Sequence, residues 1–149
     1  MKRTPVVLAS ILLLSGSVLS SSLLGFERNS TVTITVDPID SVVVAGDTLD
    51  FEGFVTNHTG DTLVVDVWFT GTPDSGGSEI LIPRVALCLP NNPQVVTLKP
   101  YQTLGGDCWL WVPAWQDPGG YTLTGKVGDY VNFDSLVIDE DSFHFWVVE

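Results

Sequence analysis

The chain has 149 residues, of which 44% are hydrophobic and 16% charged, and its 18 acidic and 6 basic side chains give a formal charge of -12. This length fits one compact domain. The excess of carboxylates excludes nucleic acid and anionic membrane surfaces as ordinary partners, because both attract clustered Lys and Arg. The 14 Gly and 9 Pro residues favour many turns over long helices and therefore indicate an all-β chain.

The N-terminal segment has the form of a secretory signal. Lys2 and Arg3 precede an uncharged run over residues 6–26, and Ser20 and Ser22 are small residues that suit a signal peptidase. We predict a signal peptide at 1–25, with an uncleaved membrane anchor as the alternative, because the uncharged run can just span a bilayer. Either outcome places the protein outside the cytoplasm, as a secreted, extracellular or periplasmic protein.

Residues 26–149 are predicted to form a single domain without linker or repeat. Without the leader, four basic residues oppose 18 acidic ones, a formal charge of -14 that favours solubility outside the cell. Short alternating runs separated by turn residues predict strands and no helix of consequence. In chain order the predicted strands are 31–36, 41–45, 49–55, 62–70, 79–83, 94–98, 108–112, 120–127 and 142–148.

The clearest predicted strand is 62–70. Leu63, Val65, Val67 and Phe69 alternate with more polar residues, so this set is expected to face the core.

The two cysteines are predicted to form a Cys88–Cys108 disulfide, because export places them in an oxidising compartment. Closing this loop would stabilise the fold by about 3 kcal/mol on the chain-entropy model. A bonded cysteine is not a nucleophile, and one pair provides neither a zinc site nor a CxxC redox motif.

A family resemblance arises at Asp117-Pro118-Gly119-Gly120-Tyr121. The Asp-x-Gly-x-Tyr spacing of Asp117, Gly119 and Tyr121 resembles the tyrosine corner of immunoglobulin-like sandwiches, in which the Tyr hydroxyl bonds to upstream backbone. Leu123 stands where antibody-type domains carry a cysteine, so the chain is more similar to fibronectin-III-like domains of exported bacterial proteins. It resembles bacterial proteinase-inhibitor sandwiches less specifically. The resemblance implies a single Ig-like antiparallel β-sandwich of about 7–9 strands, a scaffold used for adhesion, binding or spacing.

An Ig-like sheet order predicts an outer face rich in aromatic and polar side chains. Trp68, Asp66, Lys126, His144 and Trp146 are the candidate binding residues on this face, because aromatic rings can stack on sugars or dock a protein. Val64, Thr122, Thr124 and Val148 share it. The alternative is that loop residues cover the rings or that they pack against neighbouring strands.

Three further tryptophans fall near the second cysteine. Trp109 and Trp111 alternate with Cys108 and its neighbours, and Trp115 follows in the next loop. Alternation alone does not decide which set is buried, and burial tendencies favour tryptophans in the core beside the disulfide. An exposed trio would favour carbohydrate binding.

Acidic groups at 37/40, 47/50 and 139–141 are expected in or beside turns, which Asp supports without a ligand. The sequence has no EF-hand spacing, and whether these turns bind calcium stays open. It also has no G-x-S-x-G or H-E-x-x-H motif and no His placed beside a nucleophile, so we predict neither an enzyme, a metal site nor a cofactor.

The leading hypothesis is an exported, non-catalytic Ig-like binding or structural module at the cell surface or in the medium. The alternatives are a carbohydrate-binding module that uses exposed tryptophans and an inhibitor of exported proteases. Expected partners are a protein, a polysaccharide or a second copy of the chain, with no nucleic acid, and with a membrane only through an uncleaved leader.

Overall fold

The computed structural model of the protein describes residues 30–82, 85–86, 91–130 and 136–149. The predicted signal segment at 1–25 and Cys88 lie outside these residues, so the leader and the Cys88–Cys108 bond stay predictions. Cys108 is buried, and no free cysteine is found among the described residues. The same part of the chain contains no helix long and apolar enough to cross a membrane.

Within the described residues the chain forms ten β-strands and no helix. The strands are β1 (Val32–Pro38), β2 (Val42–Val44), β3 (Thr48–Asn57), β4 (Leu63–Pro73), β5 (Ile80–Leu81), β6 (Val85–Ala86), β7 (Gln94–Leu98), β8 (Thr103–Trp111), β9 (Gly119–Asp129) and β10 (Leu136–Val148). A four-stranded sheet has the order β1-β3-β8-β6, and a six-stranded sheet has the order β2-β10-β9-β4-β5, with β7 also paired to β4. The predicted all-β Ig-like sandwich is confirmed, with two differences: the described residues form ten strands where about 7–9 were predicted, and β2 pairs with β10 in parallel.

The core lies between the two sheets and is formed by alternate residues of the long strands. In β4, Val65, Val67 and Phe69 are buried as predicted, while Leu63 is partly buried and packs against the core. The ring of Phe51 in β3 meets that of Phe69 edge-on at a centroid distance of 5.6 Å, which joins the two sheets at their centre. Burying each such side chain stabilises the fold by about 1.5–3 kcal/mol.

Strand β8 begins earlier than predicted. The residues before Cys108 were expected to form a loop through Gly105 and Gly106, but Thr103 onward pairs with β3. Gly105 has a φ of +149°, and a Cβ there would collide with the carbonyl oxygen of Gly53. The glycine permits a close approach of two paired strands and does not mark a turn.

The start of β9 has the geometry of a tyrosine corner. The Tyr121 hydroxyl donates a hydrogen bond to the carbonyl oxygen of Asp117 at 2.8 Å and accepts one from Gln116 Nε2 at 2.6 Å. Gly119, which opens the strand, has a φ of +154°, and the Tyr121 ring stacks on Phe145 of β10 at 5.7 Å. The loop from β8 is thereby attached to the six-stranded sheet.

Asp139 and Asp141 lie within β10, not in the turn that the sequence analysis expected. Both face inward, and each carboxylate accepts a backbone hydrogen bond from β1. Ile34 N donates to Asp139 Oδ2 at 3.0 Å, and Val36 N donates to Asp141 Oδ2 at 2.9 Å. These two bonds, named here the carboxylate clasp, join the edge strand of the four-stranded sheet to the six-stranded sheet.

The clasp predicts a specific stability loss. Asp139→Ala is expected to lower the free energy of unfolding by about 1–3 kcal/mol, because the buried N–H of Ile34 loses its acceptor. Asp139→Asn keeps an acceptor oxygen and is expected to lose less. Urea denaturation measures both. Asp107→Ala, at an exposed position of β8, is the control, and an Asp139→Ala loss no larger than that of the control would contradict the clasp.

Candidate functional site

The outer face of the six-stranded sheet carries all five predicted binding residues, as their alternation required. Across the sheet, Trp68 pairs with Lys126, and Lys126 pairs with Glu140. Further along β10, His144 pairs with Thr122 and Trp146 with Gly120. The five residues therefore occupy two ends of one face, with Asp66, Trp68 and Lys126 at one end and His144 and Trp146 at the other.

Trp68 and Asp66 are not available to a ligand in the way predicted. Trp68 is 3% exposed, and Tyr130 covers its ring edge-on at a centroid distance of 5.3 Å. Asp66 Oδ2 accepts a hydrogen bond from Tyr130 N at 2.9 Å, which holds the covering residue in place. The alternative that a loop residue covers the ring is correct for Trp68, because Tyr130, the residue after β9, lies over the outer face at this point.

Lys126 lies at the centre of a small ionic network. Its Nζ is 2.6 Å from Glu79 Oε1 and 4.0 Å from Glu140 Oε2, and its side chain is 13% exposed. Thr70 also donates a hydrogen bond to Glu79. Burial raises the pKa of Glu79, but the bonds from Lys126 and Thr70 together with the charge of Lys126 outweigh it, so the pKa lies below its ordinary value of 4.5.

An open groove lies beside this network. It has a volume of about 360 Å³ and is lined by Glu79, Thr124, Lys126, Glu140, Asp141 and Ser142. Thr124 and Ser142 are cross-strand partners, and among the described residues neither hydroxyl is hydrogen-bonded to another group. The groove thus offers carboxylates as acceptors, an ammonium group as a donor, and hydroxyls that can act as either.

His144 and Trp146 form the other end of the face together with a residue that the sequence analysis missed. Asp74, in the loop after β4, places its Oδ2 2.6 Å from His144 Nε2. The His144 ring meets Trp146 edge-on at 5.2 Å. A Cβ at Gly120 would collide with the Asp74 carboxylate, so this glycine makes room for the pair. Trp146 remains 52% exposed.

Nothing in the sequence distinguishes Asp74 or Glu79 as a site residue, because both lie in or beside a polar loop. Both come from the segment between β4 and β5, which folds back over the outer face and contacts β9 and β10. Sheet order is needed to find these two pairs, because Glu79 is 47 positions from Lys126 and Asp74 is 70 positions from His144.

The prediction of buried tryptophans beside the second cysteine is wrong. Cys108, Leu110 and Val112 face the core, so the alternate residues Trp109 and Trp111 face outward from the four-stranded sheet. Trp111 is 53% exposed, and its indole N–H donates to the Gly46 carbonyl oxygen at 3.3 Å. Trp115 is 78% exposed in the following loop. Trp111 and Trp146 therefore lie on opposite faces of the sandwich.

No group of three or more His, Cys, Asp or Glu side chains is placed to hold a metal ion within the part of the chain that the structure describes.

Comparison with known proteins gives the fold alone. No family model matches the chain, and no curated protein sequence matches it. The chain is similar to the CARDB domain of a Pyrococcus furiosus protein, with a TM-score of 0.50 and 18% identity over 80% of this chain and 95% of that one.

Two enzymes contain a part with the same fold. The Pseudomonas fluorescens alkylpurine DNA glycosylase AlkC gives a TM-score of 0.54 and 13% identity, over 79% of this chain and 30% of that one. The β-glucosidase EmGH1 from Erythrobacter marinus gives 0.56 and 10%, over 80% of this chain and 16% of that one. The chain spans less than a third of either enzyme. This chain has an Ig-like β-sandwich fold.

The lowered pKa of Glu79 predicts how stability responds to acid. A carboxyl whose pKa is lower in the folded state stabilises the protein above its unfolded value of 4.5, and this contribution is lost as the pH falls through the folded value. Glu79→Gln should therefore lower the free energy of unfolding at neutral pH, by less than about 1 kcal/mol because the Glu79 carboxylate is partly exposed to solvent. Thermal unfolding measured across pH should show that the melting temperature of Glu79→Gln falls less steeply in acid than that of the parent protein.

Glu52→Gln is the matched control for this experiment, because Glu52 is exposed on β3. Identical acid profiles for Glu79→Gln and the parent protein would show that the Glu79–Lys126 pair contributes nothing to folding.

Proposed function

We propose that this protein is an exported, non-catalytic carbohydrate-binding module whose binding surface is the outer face of the six-stranded sheet. The observation that carries the proposal is the half-exposed ring of Trp146 on the same face as an open polar groove. An indole ring covers the apolar face of a sugar, and the polar groups of the groove can bond its hydroxyls.

The apolar surroundings of Trp146 support a stacking platform. The cross-strand residue Val42 and the neighbouring Val44 and Val148 are 54%, 45% and 38% exposed. These side chains extend the ring into a wider apolar strip at the β2 edge. Contiguous exposed apolar surface on a soluble domain is a common feature of interaction sites.

The charge of the chain disfavours nucleic acid as a ligand. AlkC is described bound to DNA, but the part of it that resembles this chain does so at 13% identity. Six basic residues against 18 acidic ones, or four without the predicted leader, provide little to neutralise phosphates.

Removal of Trp146 should weaken retention on polysaccharide. In a pull-down with insoluble cellulose, xylan, chitin and peptidoglycan, the protein is expected to be retained by at least one of them. Trp146→Ala should lower the affinity by about three- to tenfold, because a lost stacking contact is worth about 0.5–1.5 kcal/mol. Trp111→Ala is the matched control, since Trp111 has nearly the same exposure on the opposite face. Retention on none of the four materials would refute the proposal.

Export predicts the mass of the protein recovered outside the cytoplasm. Cleavage after Ser20 or Ser22 would remove the leader, and a Cys88–Cys108 bond would lower the mass by two hydrogens relative to the reduced chain. Mass spectrometry before and after reduction measures both. A full-length chain in the cytoplasm would contradict export, and a mass that reduction does not change would contradict the disulfide.

A further inference from the structure

We infer that the outer face binds a linear, uncharged polysaccharide chain that lies along β10, with one sugar on Trp146 and others in the groove at Glu140. This inference rests on the proposed function and adds the class of ligand, its direction and its second contact region.

The direction follows from the rows of side chains on β9 and β10. Outward residues of β10 run from Trp146 through His144 and Ser142 to Glu140. Six positions separate the two ends, a span of about 20 Å at the rise of a β-strand. The groove lies at the Glu140 end and the ring at the Trp146 end. A ligand that uses both must be an extended chain, because a single sugar reaches only one.

The groove suits hydroxyl groups. The hydroxyls of Thr124 and Ser142 line it without a hydrogen-bonded partner among the described residues. Glu140 is half exposed, and its 4.0 Å distance to Lys126 is too long for a hydrogen bond, so its carboxylate can still accept from a ligand. Carboxylate acceptors bond neutral hydroxyls strongly, since the acceptor is charged.

Charge decides which polysaccharides fit. Glu79 and Glu140 place carboxylates at the groove with only Lys126 to balance them, while the Asp141 carboxylate points inward to Val36 N. The rest of the chain is also strongly acidic. A polysaccharide that carries carboxylates or sulfates would meet like charge at the groove and over the whole domain, whereas an uncharged chain meets no such repulsion.

The face between Trp146 and Glu140 carries mostly small side chains. These are Thr122, Thr124 and Ser142, and beside them lies His144, which Asp74 holds in one position through the 2.6 Å contact. A fixed imidazole beside the Trp146 ring keeps the stacking platform ordered before a ligand arrives, which lowers the entropy cost of binding.

Calorimetric titration of the full chain tests the inference with soluble probes. Cello- and xylo-oligosaccharides are the neutral probes, with glucose and xylose as their monomers, polygalacturonate as the acidic probe and chitosan oligomers as the cationic probe. We expect a neutral oligosaccharide to bind at least about tenfold more tightly than its monomer, with little dependence on salt, and polygalacturonate not to bind.

Glu140→Gln is the decisive variant. It should weaken oligosaccharide binding by about tenfold, because the charged acceptor is lost, and leave monomer binding at Trp146 unchanged. Glu52→Gln on the opposite sheet is its control. Equal binding of polygalacturonate, salt-sensitive binding of chitosan alone, or unchanged oligosaccharide affinity in Glu140→Gln would overturn the inference. Those results would leave the proposed function standing, whereas absence of binding to every probe and to the insoluble materials would refute the proposed function itself.

Discussion

The sandwich depends on how its edge strand β1 is attached to the opposite sheet. An edge strand presents unpaired N–H groups, and β1 presents those of Ile34 and Val36 toward β10. Alternate N–H groups on one side of a strand have nearly the same spacing as alternate side chains on a neighbouring strand. Because the spacings agree, the carboxylates of Asp139 and Asp141 can accept hydrogen bonds from both N–H groups. They take the place of the carbonyl oxygens that a further strand would provide.

The clasp also fixes which residues of β10 face the solvent. Asp139 and Asp141 must point inward to reach β1, so Glu140 and the alternate residues after it must point outward. A β-bulge between Val137 and Asp139 sets this phase. Gly125, the partner of Asp141 on β9, leaves the space into which the side chains of Ile34 and Val36 fit. The outer face that carries the candidate site is therefore a consequence of how the edge is closed.

Local sequence was sufficient for features that depend on alternation or on a short motif. The inward and outward sets of β4 and β10 follow from period-two alternation, and the Asp117–Tyr121 spacing indicated the corner that the Tyr121 hydroxyl bond makes. Period-two alternation was not sufficient where both sets are apolar. In β8, one alternating set contains Trp109 and Trp111 and the other contains Cys108 and its neighbours, and both sets are apolar. The pairing of β8 with β3 is needed to determine which set is buried.

Contacts between segments that are far apart in the chain could not be predicted from the sequence. Trp68 has the outward position predicted for it, yet Tyr130, the residue that follows β9, covers its ring. Asp74 reaches His144 from a loop 70 positions away. Asp139 and Asp141 were interpreted as turn residues, because acidic clusters are common in turns. Composition alone does not distinguish such a turn from a strand whose carboxylates bind the backbone of an edge strand. Each of these contacts requires the sheet order, which alternation does not give.

The acidity of the chain has more than one physical role. Asp139 and Asp141 face inward and accept backbone bonds, and Asp66 holds Tyr130 in place, so these carboxylates belong to the fold. Glu79 and Glu140 lie on the outer face around Lys126. A surface whose purpose was solubility alone would scatter its charges over exposed positions. Here several of the carboxylates occupy defined hydrogen-bonding positions. Glu79 and Glu140 differ from these, because they are partly exposed beside the groove on the outer face.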